Sequence, residues 1–489
     1  MCWPDIHKIL SQLVYNQGEP LIFSTGLFLW LFLFFITGFY LVHKKHNLKI
    51  AYVILFSLFF YYRSSGIYFL LLVTSTIVDY TLANFIYKAE TDARKKAWLV
   101  FSLILNLGLL GYFKYTNFLA EIFCNVFHKP FNPFDIFLPV GVSFFTFQSL
   151  SYTIDIYRKE IKPVERITDY AFFVSFFPQL VAGPIVRAKD FLPQINRPVF
   201  VSKEMFGRAV FLLASGLFKK AVISDYISIN FVDRIFDNPT LYTGLENLFG
   251  VYGYALQIYC DFSGYSDMAI GIALLFGYEL CLNFNSPYQS SSITEFWRRW
   301  HISLSTWLRD YLYISLGGNR HGRFRTYLNQ FLTMLLGGLW HGAAFKFLLW
   351  GMMHGVALGL DKFTKEFVKI PDSKWLKILG MILTFHFVCF CWIFFRADDM
   401  KGAFAVISQI AFHFNPSVFF DFVTGYKNIM AVMLLGYSLH LTPVTAEQSA
   451  RKFVTELPLV FKVLLLVAII VTVIQFKSSE IQPFIYFQF

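Results

Sequence analysis

The stretch TYLNQFLTMLLGGLWHGAAFKFLLWGMMHGVALGL, residues 326–360, decides which kind of molecule this chain forms. One lysine and two histidines are its ionisable groups, and it is far longer than the roughly 20 apolar residues that cross a bilayer as a helix. Gly337, Gly338 and Gly342 surround His341 and offer a point where a helix can bend or another group can approach closely. The stretch therefore predicts membrane-embedded helical structure that is interrupted near His341.

The rest of the chain has the same character. Its 489 residues are 56% hydrophobic and 15% charged, with a mean hydropathy of +0.53, whereas soluble domains are about a quarter charged. We count about ten to twelve apolar segments, several of them short or interrupted, and 21–42, 375–395 and 463–476 are examples that approach the length of a membrane span. The composition predicts an all-α polytopic membrane protein. Because no stretch is polar enough for a separate soluble domain, we expect one domain over residues 1–489.

The net charge of +11 is typical of cytoplasmic loops that obey the positive-inside rule. No basic face with interleaved aromatics stands apart from the apolar segments, which argues against nucleic acid as a partner. The six cysteines are scattered and indicate neither a disulfide framework nor a zinc ribbon. The apolar run 168–186 contains Pro178 and Pro184, and proline breaks a helix, so we interpret this run as re-entrant.

A polar island at 260–267 lies between apolar flanks and holds Asp261, Ser263, Ser266 and Asp267. Carboxylates at membrane depth are costly, and they mark a pathway, a site or a paired structural contact. A wet loop between two helices is the alternative, and the sequence leaves both interpretations open. Our candidates for lining a cavity are Asp261, Ser263, Trp340 and Lys346.

Residues 292–318 combine cations, hydroxyls and tryptophans. Apolar residues from Leu304 onward recur at helical spacing, and extending the pattern backwards predicts one amphipathic helix with His301 beside its buried stripe. Glu295 can pair with a neighbouring arginine at helical spacing. The basic residues either form an ordinary cytoplasmic loop or hold the phosphates of a nucleotide-bearing cofactor. The candidates for this binding are Arg298, Arg299, Trp300, Arg320 and Arg323.

His341 is the strongest candidate for a catalytic residue. Counting from Thr326 at about 1.5 Å per residue places it about 22 Å into the membrane, somewhat past the middle. A desolvated imidazole is neutral, as a general base must be, although a core histidine bonded to one neighbour is the alternative. The histidines at 301, 321, 341 and 354 lack metal-ligand spacing, and the chain has no serine elbow, so we predict neither a metal nor a nucleophilic serine.

Two strings carry a resemblance to a known family: SPYQSSSITEFWRRWHISLSTWLRDYLYISLGGNR at 286–320 and LWHGAAFKFLLWGMMHG at 339–355. They are similar to the membrane-bound O-acyltransferases, in particular the bacterial alginate O-acetyltransferase-like branch, and similar blocks extend over residues 20–400. The resemblance implies about 11 transmembrane helices, with re-entrant and interfacial helices, around a central cavity. The C-terminal membrane helices would then lie within 375–489. It also implies that His341 is the main catalytic histidine and His301 the second polar residue of the active site.

The function implied is transfer of an acetyl group from cytoplasmic acetyl-CoA across the membrane to a hydroxyl of an extracytoplasmic polysaccharide such as alginate or peptidoglycan. Acetyl-CoA is then a substrate, and no cofactor is bound permanently. The resemblance further implies the bacterial cytoplasmic membrane, and a separate extracytoplasmic esterase-like acetyltransferase of the SGNH type as partner. Phe345 and Lys346 depart from the branch's usual Trp and Thr, which bears on acceptor choice.

Other functions stay open from the sequence. Within the same family, D-alanyl transfer to teichoic acid and acylation of lysolipids or proteins are alternatives. A proton-coupled transporter that uses Asp261, Asp267 and His341 is the alternative from another class. Transporters often contain paired repeats, and the sequence has no such duplication, which favours the enzyme.

Overall fold

A computed structural model describes residues 11–368, 371–476 and 484–485, and all regular structure within these ranges is helical. This confirms the predicted all-α class. The described residues divide into two compact units, the first comprising 11–209 with 268–281 and the second comprising 210–267 with the described part of 282–485. The expectation of one domain stays a prediction.

The first unit is built from helices that follow the apolar runs of the sequence. They are α1 (Gly26–Val42), α2 (His46–Ser65), α3 (Phe69–Lys88), α4 (Asp92–Leu110), α5 (Thr116–Val126), α6 (Val142–Tyr157), α7 (Ile167–Ser175), α8 (Phe177–Leu180) and α9 (Ala188–Ile195). The helix in the run 168–186 ends at Ser175, and a single turn containing Pro178 follows, so the run is broken as its prolines predict.

Helices α3 and α4 of the first unit join through a buried polar contact. The Asp79 carboxylate accepts hydrogen bonds from the Ser102 hydroxyl at 3.2 Å and from the Asn106 amide at 2.7 Å. Burying a polar group away from water is costly unless it is hydrogen-bonded, and here α4 supplies the donors for the carboxylate of α3.

The second unit holds the motif-rich part of the chain. Its helices are α10 (Lys203–Leu217), α11 (Asp225–Ile227), α12 (Asp233–Asp237), α13 (Gly244–Leu275), α14 (Ile293–Arg299), α15 (Ile302–Trp307), α16 (Gly322–His341), α17 (Phe345–Phe367), α18 (Lys374–Arg396), α19 (Met400–Phe412), α20 (Phe419–Gly425), α21 (Lys427–His440), α22 (Val444–Glu456) and α23 (Leu459–Phe476). Residues 203–209 of α10 and 268–275 of α13 belong to the first unit. Wider π-helical turns occur at Phe218–Ser224 and Leu308–Tyr313.

Several helices are suited to a bilayer. Among the described residues, four helical segments are long and apolar enough to cross a membrane: 46–88, 92–126, 374–396 and 459–476. Two pairs pass the same test together but are bent: α19 with the helical segment 416–425, which includes α20, by 91°, and α21 with α22 by 93°. The 17-residue α1 is apolar but shorter. These helices agree with a multi-pass membrane protein, and the figure of about 11 crossings stays a prediction.

Helices α16 and α17 form a close antiparallel pair, and glycine permits it. A methyl group added at Gly351 would lie 2.5 Å from the Met334 carbonyl oxygen, and one at Gly338 would collide with the Phe347 carbonyl oxygen. Helix α16 ends at His341 and α17 begins at Phe345, so the helical structure is interrupted where the glycines around His341 predict it. Small residues therefore bring two backbones together and place His341 at the end of a helix.

The prediction of one amphipathic helix across 292–318 is wrong. Helix α14 ends at Arg299, His301 adopts a left-handed conformation with φ 42° and ψ 56°, and α15 begins at Ile302. The break is stabilised by a segment from elsewhere in the chain. The Ile302 N–H donates to the Asn283 carbonyl at 2.9 Å, and the Asn285 N–H donates to the Arg299 carbonyl at 2.9 Å. Helical periodicity carries no information about such partners, because they are distant in sequence.

Candidate active site

The two candidate histidines lie on either side of one tryptophan. The ring centroid of Trp340 is 6.3 Å from that of His301 and 5.0 Å from that of His341. The two histidine centroids therefore lie within 11.3 Å of each other, which is the sum of these distances. All three side chains are buried. Residues 40 positions apart in the sequence thus share one site, which the structure assembles from α16 and the turn before α15.

His341 is enclosed by aromatic rings from two further helices. Trp350 of α17 and Phe395 of α18 present their rings edge-on to the imidazole, with centroid distances of 5.0 Å and 5.3 Å. Only 4% of the His341 surface is exposed. Such apolar surroundings disfavour a charged imidazole. The role of His341 as a general base stays a prediction.

His301 is held by a polar network rather than by rings alone. Its Nδ1 lies 3.1 Å from the Oδ1 of Asn283. The Ser303 hydroxyl and backbone N–H donate to the same oxygen at 2.9 Å and 3.3 Å, and the Asn283 amide nitrogen donates to Ser266 Oγ at 3.0 Å. Helices α14 and α15 have seven and six residues, too few to cross a membrane. Complete burial lowers the pKa of His301 to about 3, so its ring is neutral at physiological pH.

The polar island at 260–267 is not a loop. It lies inside the continuous helix α13, so the alternative of a wet loop is wrong. The Asp261 carboxylate lies 2.6 Å from Lys220 Nζ and accepts the Ile485 backbone N–H at 2.8 Å, while Asp267 lies 2.7 Å from Lys219 Nζ. Both carboxylates therefore belong to paired structural contacts.

Helix α13 nevertheless reaches His301. The ring of Phe262, between Asp261 and Ser263, meets the His301 imidazole edge-on at 4.6 Å. Ser263 is itself buried, with 1% of its surface exposed. The helix thus contributes an apolar wall to His301, and its carboxylates form ion pairs with lysines that precede α13 in the chain.

Lys346, a candidate for lining a cavity, is buried and has a defined partner. Its ammonium donates to the Ala397 carbonyl at 2.6 Å and lies 4.8 Å from the centroid of the Phe347 ring. Lys346 belongs to the first turn of α17, immediately after the break that follows His341. It therefore connects the start of α17 to the end of α18.

The predicted donor-binding residues are not all alike. Arg298, Arg320 and Arg323 are exposed, and the Arg323 guanidinium lies 5.5 Å over the Phe367 ring. Arg299 pairs with Glu295 at 2.6 Å, which confirms the pairing expected from helical spacing. Trp300 differs from the arginines because it is 2% exposed.

Trp300 packs among other aromatic rings. Its centroid is 5.0 Å from that of Trp392, 5.1 Å from that of Phe284 and 5.6 Å from that of Phe296. This packing places Trp300 in an aromatic core, whereas the arginine side chains reach solvent.

Sequence reasoning missed Asn283. The residue is fully buried and contacts His301 through its side chain and the following turn through its backbone. A single asparagine in an irregular segment gives no periodic signal. The reasoning also missed the contact from the Trp297 indole N–H to His354 Nδ1 at 3.3 Å, which assigns His354 to the aromatic core. Within the described ranges no group of three or more His, Cys, Asp and Glu side chains is placed to hold a metal ion.

These features define a helical membrane protein with two buried histidines beside one tryptophan. A profile of the membrane-bound O-acyltransferase family matches residues 10–397. The chain belongs to this family, and it is an O-acyltransferase, the class of enzyme predicted from the sequence.

Relatives within the family act on different polymers. The chain is 42% identical to a probable alginate O-acetylase of Pseudomonas aeruginosa over 391 residues, which cover 78% of this chain and 73% of the relative. It is 38% identical to a peptidoglycan O-acetyltransferase of Helicobacter pylori, with 79% of each chain covered. A teichoic acid D-alanyltransferase of Bacillus subtilis is 30% identical over 54% of this chain and 69% of its own length.

Proposed function

We propose that this protein transfers an acetyl group from cytoplasmic acetyl-CoA to a hydroxyl group of an extracytoplasmic polysaccharide. The observation that carries the proposal is the pair of buried histidines on either side of Trp340, inside an aromatic enclosure. The names of the alginate and peptidoglycan relatives support acetyl as the acyl group and a polysaccharide as the acceptor.

In the proposed reaction His341 is the general base. Its neutral imidazole takes the proton of the acceptor hydroxyl while that oxygen attacks the thioester carbonyl carbon. A new C–O ester bond forms, the C–S bond breaks, and coenzyme A leaves as a thiolate that recovers a proton from the imidazolium. A thioester is already activated, so the reaction needs neither a metal ion nor a covalent serine intermediate.

The arginines and the remaining candidates have subsidiary roles in this proposal. Exposed guanidinium groups are suited to the phosphates of coenzyme A, because they stay charged and donate in pairs. Arg298, Arg320 and Arg323 have that exposure, whereas Arg299 must share its charge with Glu295. The buried Trp300 and Lys346 serve instead to shape the walls near the histidines.

We also propose the cytoplasmic membrane of a bacterium as the location, since acetyl-CoA is cytoplasmic and the acceptor lies outside. A separate extracytoplasmic esterase-like acetyltransferase is the proposed partner that completes delivery to the polymer. If the purified protein alone acetylated the final polymer efficiently, the partner would be unnecessary.

The decisive experiment supplies membranes that contain the protein with acetyl-CoA labelled in its acetyl group and identifies the labelled product. We expect label in a polysaccharide. Replacing His341 with Ala removes the base and should lower the rate by about 10²–10⁴-fold. His413, whose side chain is exposed, provides a matched control, and His413→Ala should keep the wild-type rate. An undiminished rate in folded His341→Ala protein would show that His341 is not the base.

The same experiment separates the second candidate function. The similarity to the Bacillus subtilis D-alanyltransferase favours D-alanyl transfer as the alternative. Label from an activated D-alanyl donor, with none from acetyl-CoA, would support that alternative and contradict acetyl transfer.

A further inference from the structure

Asn283 forms hydrogen bonds to the turn at His301 through both its side chain and its backbone. The backbone carbonyl accepts the Ile302 N–H at 2.9 Å, and the side-chain Oδ1 lies 3.1 Å from His301 Nδ1. His301 and Asn283 are both fully buried. One residue therefore stabilises both the left-handed backbone of His301 and the orientation of its ring.

The orientation of the Asn283 amide is fixed by its neighbours. The Ser303 backbone N–H can only donate, and it points to Oδ1 at 3.3 Å, with the Ser303 hydroxyl donating to the same atom at 2.9 Å. On the other side, Nδ2 donates to Ser266 Oγ at 3.0 Å. The atom that faces His301 is therefore the carbonyl oxygen, which accepts hydrogen bonds and cannot donate them.

The tautomer of His301 follows from this contact. The Ser303 hydroxyl also lies 3.4 Å from His301 Nδ1, but its proton goes to Asn283 Oδ1 at the shorter distance of 2.9 Å. Nδ1 therefore carries a proton and donates it to Oδ1 at 3.1 Å. In a neutral imidazole the other nitrogen, Nε2, then has a lone pair and accepts hydrogen bonds. Burial keeps the ring neutral, because it lowers the pKa of His301 to about 3.

We propose that Asn283 is a positioning residue that makes His301 a hydrogen-bond acceptor toward a substrate N–H or O–H group. This inference rests on the proposed function and adds to it a role for His301. A neutral His301 with its proton on Nδ1 cannot donate to the thioester oxygen from Nε2. The group that it receives is instead a donor, either an amide N–H of the pantetheine arm of coenzyme A or the hydroxyl of the acceptor.

The first test replaces Asn283 with Asp, which keeps an oxygen at the Nδ1 contact and adds a negative charge. An adjacent carboxylate stabilises the imidazolium, so we expect the acidic limb of kcat/KM to move up by about one pH unit or more. At pH values below this limb His301 is an imidazolium whose Nε2 is a donor and no longer an acceptor, so activity is lost. Activity returns as the pH rises and the ring becomes neutral. Asn415→Asp is the matched control, because it adds the same charge at an exposed asparagine and should leave the limb unchanged.

Steady-state constants distinguish the two possible sources of the substrate group. Asn283→Leu removes the contact to Nδ1, so the ring is free to change tautomer. A KM that rises for acetyl-CoA assigns the group to pantetheine, and a KM that rises for the acceptor assigns it to the hydroxyl. Unchanged constants in Asn283→Leu, or an unmoved limb in a folded Asn283→Asp protein, would overturn the proposal.

A spectroscopic test does not depend on which acyl group is transferred. In full-length protein labelled with ¹⁵N-histidine, the signals of His301 are those missing from a His301→Gln variant. We expect a protonated Nδ1 and an unprotonated Nε2 near neutral pH. The opposite tautomer would refute the role of Asn283 even if acetyl transfer were established, whereas failure of acetyl labelling with the expected tautomer would refute only the proposed function.

Discussion

The close approach of α16 and α17 leads to a quantitative prediction about Gly351. A methyl group at this position would lie 2.5 Å from the Met334 carbonyl oxygen and 3.2 Å from the Gly338 Cα, whereas ordinary contact begins at 3.4 Å. The two helices would have to separate by up to about 0.9 Å to accept Gly351→Ala. Overpacking of this kind costs roughly 1–3 kcal/mol.

The opposing term is helix propensity. Alanine is favoured over glycine within a helix by about 1 kcal/mol, so the expected net loss for Gly351→Ala is up to about 2 kcal/mol. Gly359, on the same helix, is the matched control, because a methyl group there would lie at an ordinary 3.6 Å from the Tyr327 ring. Gly359→Ala should therefore be stabilising by up to about 1 kcal/mol.

The assay compares the temperature at which each variant, purified in detergent, loses its folded structure and its acyl-transfer activity. We expect Gly351→Ala to unfold below the wild type and Gly359→Ala at or above it. Because His341 ends α16, a separation of the helices also moves the proposed base, so Gly351→Ala should lose activity before it unfolds. Equal stability of the two variants would refute the reasoning from close helix packing.

Three further predictions concern charged residues. Lys220→Met leaves the buried Asp261 and the partly exposed Asp225 without their shared cation, whereas Asp261→Asn leaves the lysine its contact with Asp225. Thermal unfolding should therefore show the lysine variant to be the less stable one, by about 3–5 kcal/mol relative to wild type. Equal losses in the two variants would contradict this asymmetry. Replacing Arg320 and Arg323 together by Gln should raise the KM for acetyl-CoA by about tenfold or more, because each charged hydrogen bond contributes roughly 1.5–3 kcal/mol. We expect little change in kcat. If steady-state kinetics gave an unchanged KM, the two arginines would not belong to the donor site. Lys346→Met removes the buried hydrogen bond to the Ala397 carbonyl at the end of α18. The free energy of unfolding should fall by roughly 1–3 kcal/mol, which is measured as a lower melting temperature. A variant more stable than the wild type would show that burying the ammonium costs more free energy than its hydrogen bond contributes.

Much of the fold could be predicted from composition and glycine placement. Apolar runs identified the helical membrane class, and the glycines around His341 predicted the break between α16 and α17. Pro178 likewise marked the broken run in the first unit. These signals are local, because they depend on what a short segment can do by itself.

The errors of prediction have a different cause. The segment 292–318 has the apolar periodicity of one helix, yet its backbone turns at His301. The turn is stabilised by backbone hydrogen bonds from Ile302 to Asn283 and from Asn285 to Arg299. For the carboxylates of α13 the sequence left a wet loop and a paired contact open, because their partners Lys219 and Lys220 are more than 40 residues upstream. Partners distant in sequence thus decided both cases.

The sequence predicted the two histidines of the candidate site but not the residue that contacts His301. Position in the chain and family resemblance selected His301 and His341, and the structure brings them to one tryptophan. Their catalytic roles stay predictions. Asn283, which determines what His301 can offer a substrate, lies in a segment with no pattern to mark it.

The left-handed backbone of His301 affects how mutagenesis at this position must be interpreted. Residues other than glycine occupy that region at a cost of about 1–2 kcal/mol, and asparagine tolerates it better than alanine does. An alanine scan would therefore report two quantities at once, the lost imidazole and a changed local preference of the chain. Comparing His301→Asn with His301→Gly separates them, because the first substitution keeps a polar side chain and the second relaxes the main chain. In engineering this enzyme, glycine is thus the natural baseline from which to measure the worth of the ring.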